Sequence, residues 1–233
     1  AGGTTTITNA AREPEICDLA DFLNCCGAKI SGAGDSTIVI EGVKSLHGCE
    51  HEVIPDRIAA ATYLAATAAT GGSIILNHVV PEHLAPVLPL FEESGCRFAI
   101  HEKEIYMSAP SRLGRIKNVR TMPYPGFPTD AQAPMMAMAA VANGTSIFVE
   151  NIFESRYKHV GELLRLGANI KVEGRVAVVE GVGRLSGAPV EAADLRGGAA
   201  LVVAGLAAQG ETLVSGVRHI DRGYECLEEN LCL

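Results

Sequence analysis

No two cysteines of the 233-residue chain form a CxxC pair, although seven are present, at positions 17, 25, 26, 49, 96, 226 and 232. An odd count without that spacing suggests neither a disulfide framework nor a zinc site, and a reducing cytoplasm is the expected home. Clusters of Lys and Arg are also missing. With a net charge of −8 and a pI near 5.4 the chain offers no basic surface for nucleic acid. The longest apolar stretches, residues 58–69 and 199–208, are too short and too rich in alanine to cross a bilayer core of about 30 Å, so no membrane partner is expected. The short glycine pieces at Gly32 to Gly34 and Gly71 to Gly72 match neither a phosphate loop nor a dinucleotide fingerprint. No cofactor is expected. Seven histidines are scattered, and the one close pair, His47 and His51, flanks Gly48 in a turn rather than lying on a helix, so no metal site is expected either.

What the chain does have is repetition. A helix end running through glycine into a strand occurs three times, as FLNCCGAKI from Phe22, LFEESGCRF from Leu90 and LLRLGANI from Leu163, with glycines at 27, 95 and 167. An aspartate opens an alanine-rich segment at Asp56, Asp130 and Asp194, and a glycine leads into a strand at Gly71, Gly144 and Gly210. Copies spaced about 70 residues apart are too long for solenoid repeats of about 20–50 residues and indicate a repeated α/β subdomain.

Alternation and β-branching predict strands at residues 4–8, 37–43, 73–77, 146–151 and 176–182. The segments after the three aspartates are apolar on every face, unlike a surface helix, and are expected to be buried. Residues 81–95 and 159–167 mix charge with leucine and read as amphipathic. The predicted fold is α/β, with βαβαββ-type subdomains in an approximate three-fold arrangement, helices inside and sheets outside: an inside-out α/β barrel. Cys25, Cys26 and Cys96 adjoin the repeat glycines and read as small core residues.

Aspartate is a favoured helix N-cap, accepting bonds from backbone N–H groups two or three residues on, and this accounts for Asp56 and Asp194. Asp130 stands in PYPGFPTDAQAP, where the prolines and Gly126 set a rigid, irregular approach. Such stiffness suggests that a side chain is being aimed, with capping as the alternative.

PYPGFPTD ending at Asp130, ENIFESR from Glu150, DLR from Asp194 and HIDRGYE from His219, together with NAAREPEI from Asn9 and VIPDRI from Val53, resemble the enolpyruvyl transferase family in its sugar-nucleotide branch. Several long motifs in order carry more weight than one short pattern. The resemblance implies transfer of the enolpyruvyl group of phosphoenolpyruvate to the 3'-hydroxyl of UDP-N-acetylglucosamine, with release of phosphate, as the committed step of peptidoglycan synthesis. Such chemistry needs a base at the attacking hydroxyl, cations for carboxylate and phosphate, and an acid at the methylene carbon. By resemblance Asp130 binds and deprotonates the sugar hydroxyl, Arg196 and Arg222 bind anions, and the backbone of Ile152 contacts the sugar nucleotide. Arg12 and Glu13 face the same region by analogy. Taken alone, Arg222 could pair with Asp221 or Glu225, Arg196 could lie against Asp194, and Ile152 could be a strand-end core residue.

The resemblance further implies that residues 1–54 are the tail of a first domain and residues 55–233 most of a second. Because the chain starts at Ala1 in what reads as the middle of a strand, it is expected to be a C-terminal piece that supplies one wall of an interdomain cleft and does not turn over alone. Its partner would be the N-terminal domain of the same protein, with the glycine-rich loop that carries the family's acidic cysteine. Two alternatives remain: the sister transferase acting on shikimate 3-phosphate, and a binding module that keeps the ligand wall without catalysis.

Overall fold

The computed structural model describes residues 2–231 and divides the chain into two compact units. The first comprises Ala1–Pro55 with Pro123–Gly126. It is built from β1 (Thr4–Thr8), α1 (Pro14–Cys25), β2 (Lys29–Ser31) and β3 (Thr37–Glu41), and the strands form one antiparallel sheet in the order β1-β3-β2. Proline at the first helical position starts α1 where a missing N–H costs nothing.

The second unit comprises Asp56–Met122 and Phe127–Leu233. It opens with α2 (Arg57–Thr70), β4 (Ser73–Asn77), a 3-10 turn at Pro81–Leu84, α3 (Leu88–Glu93), β5 (Arg97–His101) and β6 (Glu104–Ser108). There follow β7 (Asn118–Arg120), a 3-10 turn at Thr129–Ala131, α4 (Gln132–Ala140), β8 (Thr145–Val149), α5 (Val160–Arg165), β9 (Asn169–Glu173) and β10 (Val176–Glu180). The last stretch holds β11 (Leu185–Ser186), β12 (Pro189–Glu191), α6 (Leu195–Ala207), β13 (Ala208–Gln209), β14 (Leu213–Ser215), α7 (Arg218–Asp221) and α8 (Leu227–Leu231).

Strand order explains the sequence repeat. A strand, a helix and a β-hairpin recur as β1-α1-β2-β3, β4-α3-β5-β6 and β8-α5-β9-β10, and each time the last strand pairs between the other two, antiparallel to both. The repeat glycines end the intervening helices: Gly95 and Gly167 have φ of +100° and +88°, a left-handed conformation open to glycine at little cost. In the third sheet β7 adds parallel to β8, whereas β11 with β13 and β12 with β14 form separate two-stranded parallel pairs.

Helices α2, α4 and α6 pack against one another at the centre of the second unit. All nine residues of α4 are buried, and α2 and α6 bury alanine, leucine and glycine on several faces. Small side chains let three helix backbones approach closely. The sheets lie outside them with one face inward: Ile105 and Met107 of β6 are wholly buried, while Tyr106 between them is 39% exposed. Helices are thus inside and sheets outside, but the sheets remain separate and close no barrel among the described residues. The predicted strands at 4–8 and 73–77 form as expected, whereas the second, fourth and fifth run a residue or two shorter, ending at Glu41, Val149 and Glu180. Cys26 and Cys96 are buried as expected of small core residues, but Cys25 is exposed, because the last turn of α1 presents it to solvent.

Candidate active site

The three marker aspartates separate into two kinds. Asp56 accepts from the backbone N–H groups of Ile58 at 2.7 Å and Ala59 at 3.0 Å, and Asp194 accepts from that of Gly197 at 2.7 Å, so both cap the helices they precede. Asp130 caps nothing. It sits inside the 3-10 turn that precedes α4, its side chain makes no capping bond, and both oxygens are held by arginines. Arg156 Nη2 donates to Oδ1, and Arg196 donates to Oδ2 from Nε at 3.2 Å and Nη2 at 3.1 Å. One oxygen per guanidinium fixes the carboxylate's orientation, because rotating it would break both grips.

Each arginine is itself positioned. Arg196 is the second residue of α6, so the cap at Asp194 sets its starting point, and its guanidinium lies 5.5 Å from the centre of the Tyr224 ring. The Tyr224 hydroxyl in turn meets Thr62 Oγ1 of α2 at 2.9 Å. Burial opposes the charge on Arg196, but the Tyr224 hydroxyl and the Asp130 carboxylate outweigh it, and its pKa moves up. The third guanidinium nitrogen, Nη1, is buried and has no hydrogen-bond partner among the described residues. Arg156 stacks 5.1 Å from the centre of the Phe153 ring, and the next residue, Tyr157, anchors the segment by sharing its O–H between the carbonyls of Phe148 and Arg175, each at 3.1 Å.

Beneath these groups lies Glu150, 1% exposed. Its carboxylate accepts from Thr121 Oγ1 and Thr129 Oγ1 at 2.9 Å each, and from the N–H groups of Ile152 at 2.8 Å and Phe153 at 3.1 Å. One buried side chain therefore ties the turn that carries Asp130 to the loop that carries Ile152 and leads to Arg156. Ile152 is 39% exposed and spends its N–H on Glu150, which leaves its carbonyl as the backbone group available to a ligand.

Of the residues singled out from the sequence, Asp130 and Arg196 are joined directly. Arg196 does not lie against Asp194, whose carboxylate is taken by the helix cap. Arg222 ends α7 with an exposed side chain and makes no ion pair with Asp221 or Glu225. Arg12 and Glu13 belong to the first unit, where Arg12 is exposed and Glu13 keeps one buried oxygen without a hydrogen-bond partner among the described residues. Arg156, Glu150 and Tyr224 were not singled out, although each stands within a quoted motif. Their roles depend on partners 21 to 162 residues away, which no local pattern reveals. Among the described residues no group of His, Cys, Asp and Glu is placed to hold a metal ion, and no helix is long and apolar enough to cross a membrane.

Comparison with known proteins gives a consistent picture. Residues 1–231 match the family described as EPSP synthase (3-phosphoshikimate 1-carboxyvinyltransferase). The chain is 52% identical over 231 residues to UDP-N-acetylglucosamine 1-carboxyvinyltransferase 2 of Caldanaerobacter subterraneus subsp. tengcongensis, covering 99% of this chain and 55% of that protein. It is 54% identical to UDP-N-acetylglucosamine 1-carboxyvinyltransferase 1 of Symbiobacterium thermophilum, covering 99% of this chain and 52% of that one. The chain spans about half the length of the curated relatives it matches. Among solved structures, the enolpyruvyl transferase NikO from Streptomyces tendae superposes with a TM-score of 0.88 at 29% identity, over all of this chain and 55% of that one. EPSP synthase from Acinetobacter baumannii, at 20% identity and a TM-score of 0.68 over 96% of this chain and 55% of that one, shares the fold.

Proposed function

Because the chain belongs to the EPSP synthase family of carboxyvinyl transferases, we propose that it forms part of an enzyme that moves the enolpyruvyl group of phosphoenolpyruvate onto the 3'-hydroxyl of UDP-N-acetylglucosamine, releasing phosphate for peptidoglycan synthesis in the cytoplasm. The sugar-nucleotide acceptor is favoured over shikimate 3-phosphate by the names of the relatives at 52–54% identity. In this reading residues 1–54 belong to a first domain and residues 55–233 to a second, and the N-terminal part of the same protein supplies the general acid.

The observation that carries the reading is the Asp130 clamp beside an unsatisfied arginine donor. A carboxylate held in one orientation by Arg156 and Arg196 is suited to accept a hydrogen bond from the sugar hydroxyl and take its proton as the new C–O bond forms. The unpartnered Nη1 of Arg196 is a buried donor that a carboxylate or phosphate oxygen would satisfy. Arg222 adds exposed positive charge for the same substrate, and the Ile152 carbonyl is the contact for the sugar nucleotide. For Arg12 and Glu13 a part in substrate binding rests on the family resemblance alone. The test is phosphate release by the complete protein given phosphoenolpyruvate with either acceptor. Release with UDP-N-acetylglucosamine alone is expected. Release with shikimate 3-phosphate alone moves the chain to the sister activity, and no release with either leaves a binding module.

A further inference from the structure

Three of the cysteines, none of them used in the reading above, converge in the first unit. Cys26 Sγ lies 3.5 Å from Cys49 Sγ, and the two residues are 23 apart in sequence. Cys25, next to Cys26 at the end of α1, directs its thiol to the carbonyl of Glu50 at 3.6 Å, and Cys49 directs its own to the carbonyl of Phe22 at 3.8 Å. Proximity is built, because residues 47–51 run back along the helix. The His47 N–H bonds the Cys26 carbonyl at 2.9 Å, the His47 ring closes on Gly27 so tightly that a Cβ there would meet its Nε2 at 2.9 Å, the His51 ring sits 5.6 Å from that of Phe22, and His51 Nε2 reaches Asp18 Oδ1 at 2.9 Å. This order holds a segment with no regular secondary structure, the one that leads from β3 towards α2.

We propose that Cys26 and Cys49 are a dithiol–disulfide pair that, under a small-molecule disulfide oxidant, closes a covalent staple between α1 and the segment joining β3 to α2. Cys49, the half-exposed member, deprotonates and attacks one sulfur of the oxidant, whose S–S bond breaks and expels the first thiolate. Buried Cys26 then deprotonates and attacks Cys49 Sγ, expelling the second thiolate and forming the Cys26–Cys49 bond. The protein gives up two electrons and two protons, and the oxidant leaves as two thiols. Closure needs a small displacement, since the sulfurs already touch and a disulfide spans about 2 Å. Hydrogen bonding with Cys25, then burial and contact with Cys26, push the Cys49 thiol up to about 12. Cys49 therefore stays protonated at neutral pH, and the bridge closes slowly and only under sustained oxidation.

The experiment incubates the protein with oxidised glutathione and maps the peptides with and without reductant. Expected are a loss of about 2 Da, one linked peptide pair containing Cys26 and Cys49, and slower proteolysis within residues 43–55 that reductant reverses. Cys26→Ser and Cys49→Ser should each abolish the linked pair, whereas Cys25→Ala, which removes the main group holding the Cys49 proton, should form it at least as fast as the parent. Stable glutathionylation without linkage, a bridge between other cysteines, or slower linkage in Cys25→Ala would each overturn the proposal.

Discussion

Replacing Glu150 with alanine should unfold the second unit's active-site wall more than any other single change of equal size. The carboxylate is 1% exposed and serves four donors, two hydroxyls and two backbone N–H groups. An orphaned buried donor costs about 1–3 kcal/mol. Ile152 and Phe153 are partly exposed, so water can reach their N–H groups and the low end applies to them, while Thr121 and Thr129 lose bonds to a charged acceptor. The expected loss is therefore about 3 kcal/mol, or a fall in Tm of roughly 6–12 °C for a chain of this size. Glutamine keeps one oxygen for Thr121, Ile152 and Phe153 and offers its amide to Thr129, whose hydroxyl can accept instead of donate. It should cost only about 1 kcal/mol. Urea melts of the two variants decide the matter: a loss below 1 kcal/mol for alanine, or an equal loss for both, refutes the assignment of Glu150 as the organiser of this wall.

Burial drops the pKa of His159 to about 4, with Arg156 adding to the drop and Asp194 opposing it. The unfolded chain then takes up a proton near pH 6.5 that the folded chain refuses, so stability present above pH 6.5 is lost as pH falls towards 4, by roughly 3 kcal/mol in all; a His159→Gln variant should show a flatter stability profile over that window in urea melts. Tyr224→Phe keeps the ring under Arg196 but removes the bond to Thr62, and should cost about 1 kcal/mol on denaturation. Arg196→Lys cannot grip Asp130 Oδ2 with two nitrogens or stack on Tyr224, and steady-state assays of the complete protein should show at least a tenfold fall in kcat/KM, about 1.4 kcal/mol of transition-state stabilisation.

The sequence showed the framework more clearly than the site. Glycines after helices and apolar all-round segments are local signals, and they located the repeats and the three central helices. The hairpins within the repeats were only partly visible, because β5 and β9 mix exposed charge with apolar residues, and β11 to β14 are two or three residues long, too short to show a period. Asp130 stood out because prolines constrained its approach, and the structure separates it from Asp56 and Asp194 for the same reason: its turn enters α4 as 3-10 helix, leaving the carboxylate free of capping. Arg156 carried no comparable mark. Its importance comes from Asp130, 26 residues earlier, across the fold.

The most direct test of the account is the turnover of the complete protein carrying Asp130→Asn, measured as phosphate release from phosphoenolpyruvate with UDP-N-acetylglucosamine at saturating substrate. Asparagine keeps the shape and one acceptor between Arg156 and Arg196 but cannot take the hydroxyl proton, so kcat should fall by about 10²–10⁴-fold with the protein still folded. Turnover within about threefold of the parent, roughly 0.7 kcal/mol, would contradict the assignment of Asp130 as the group that activates the acceptor.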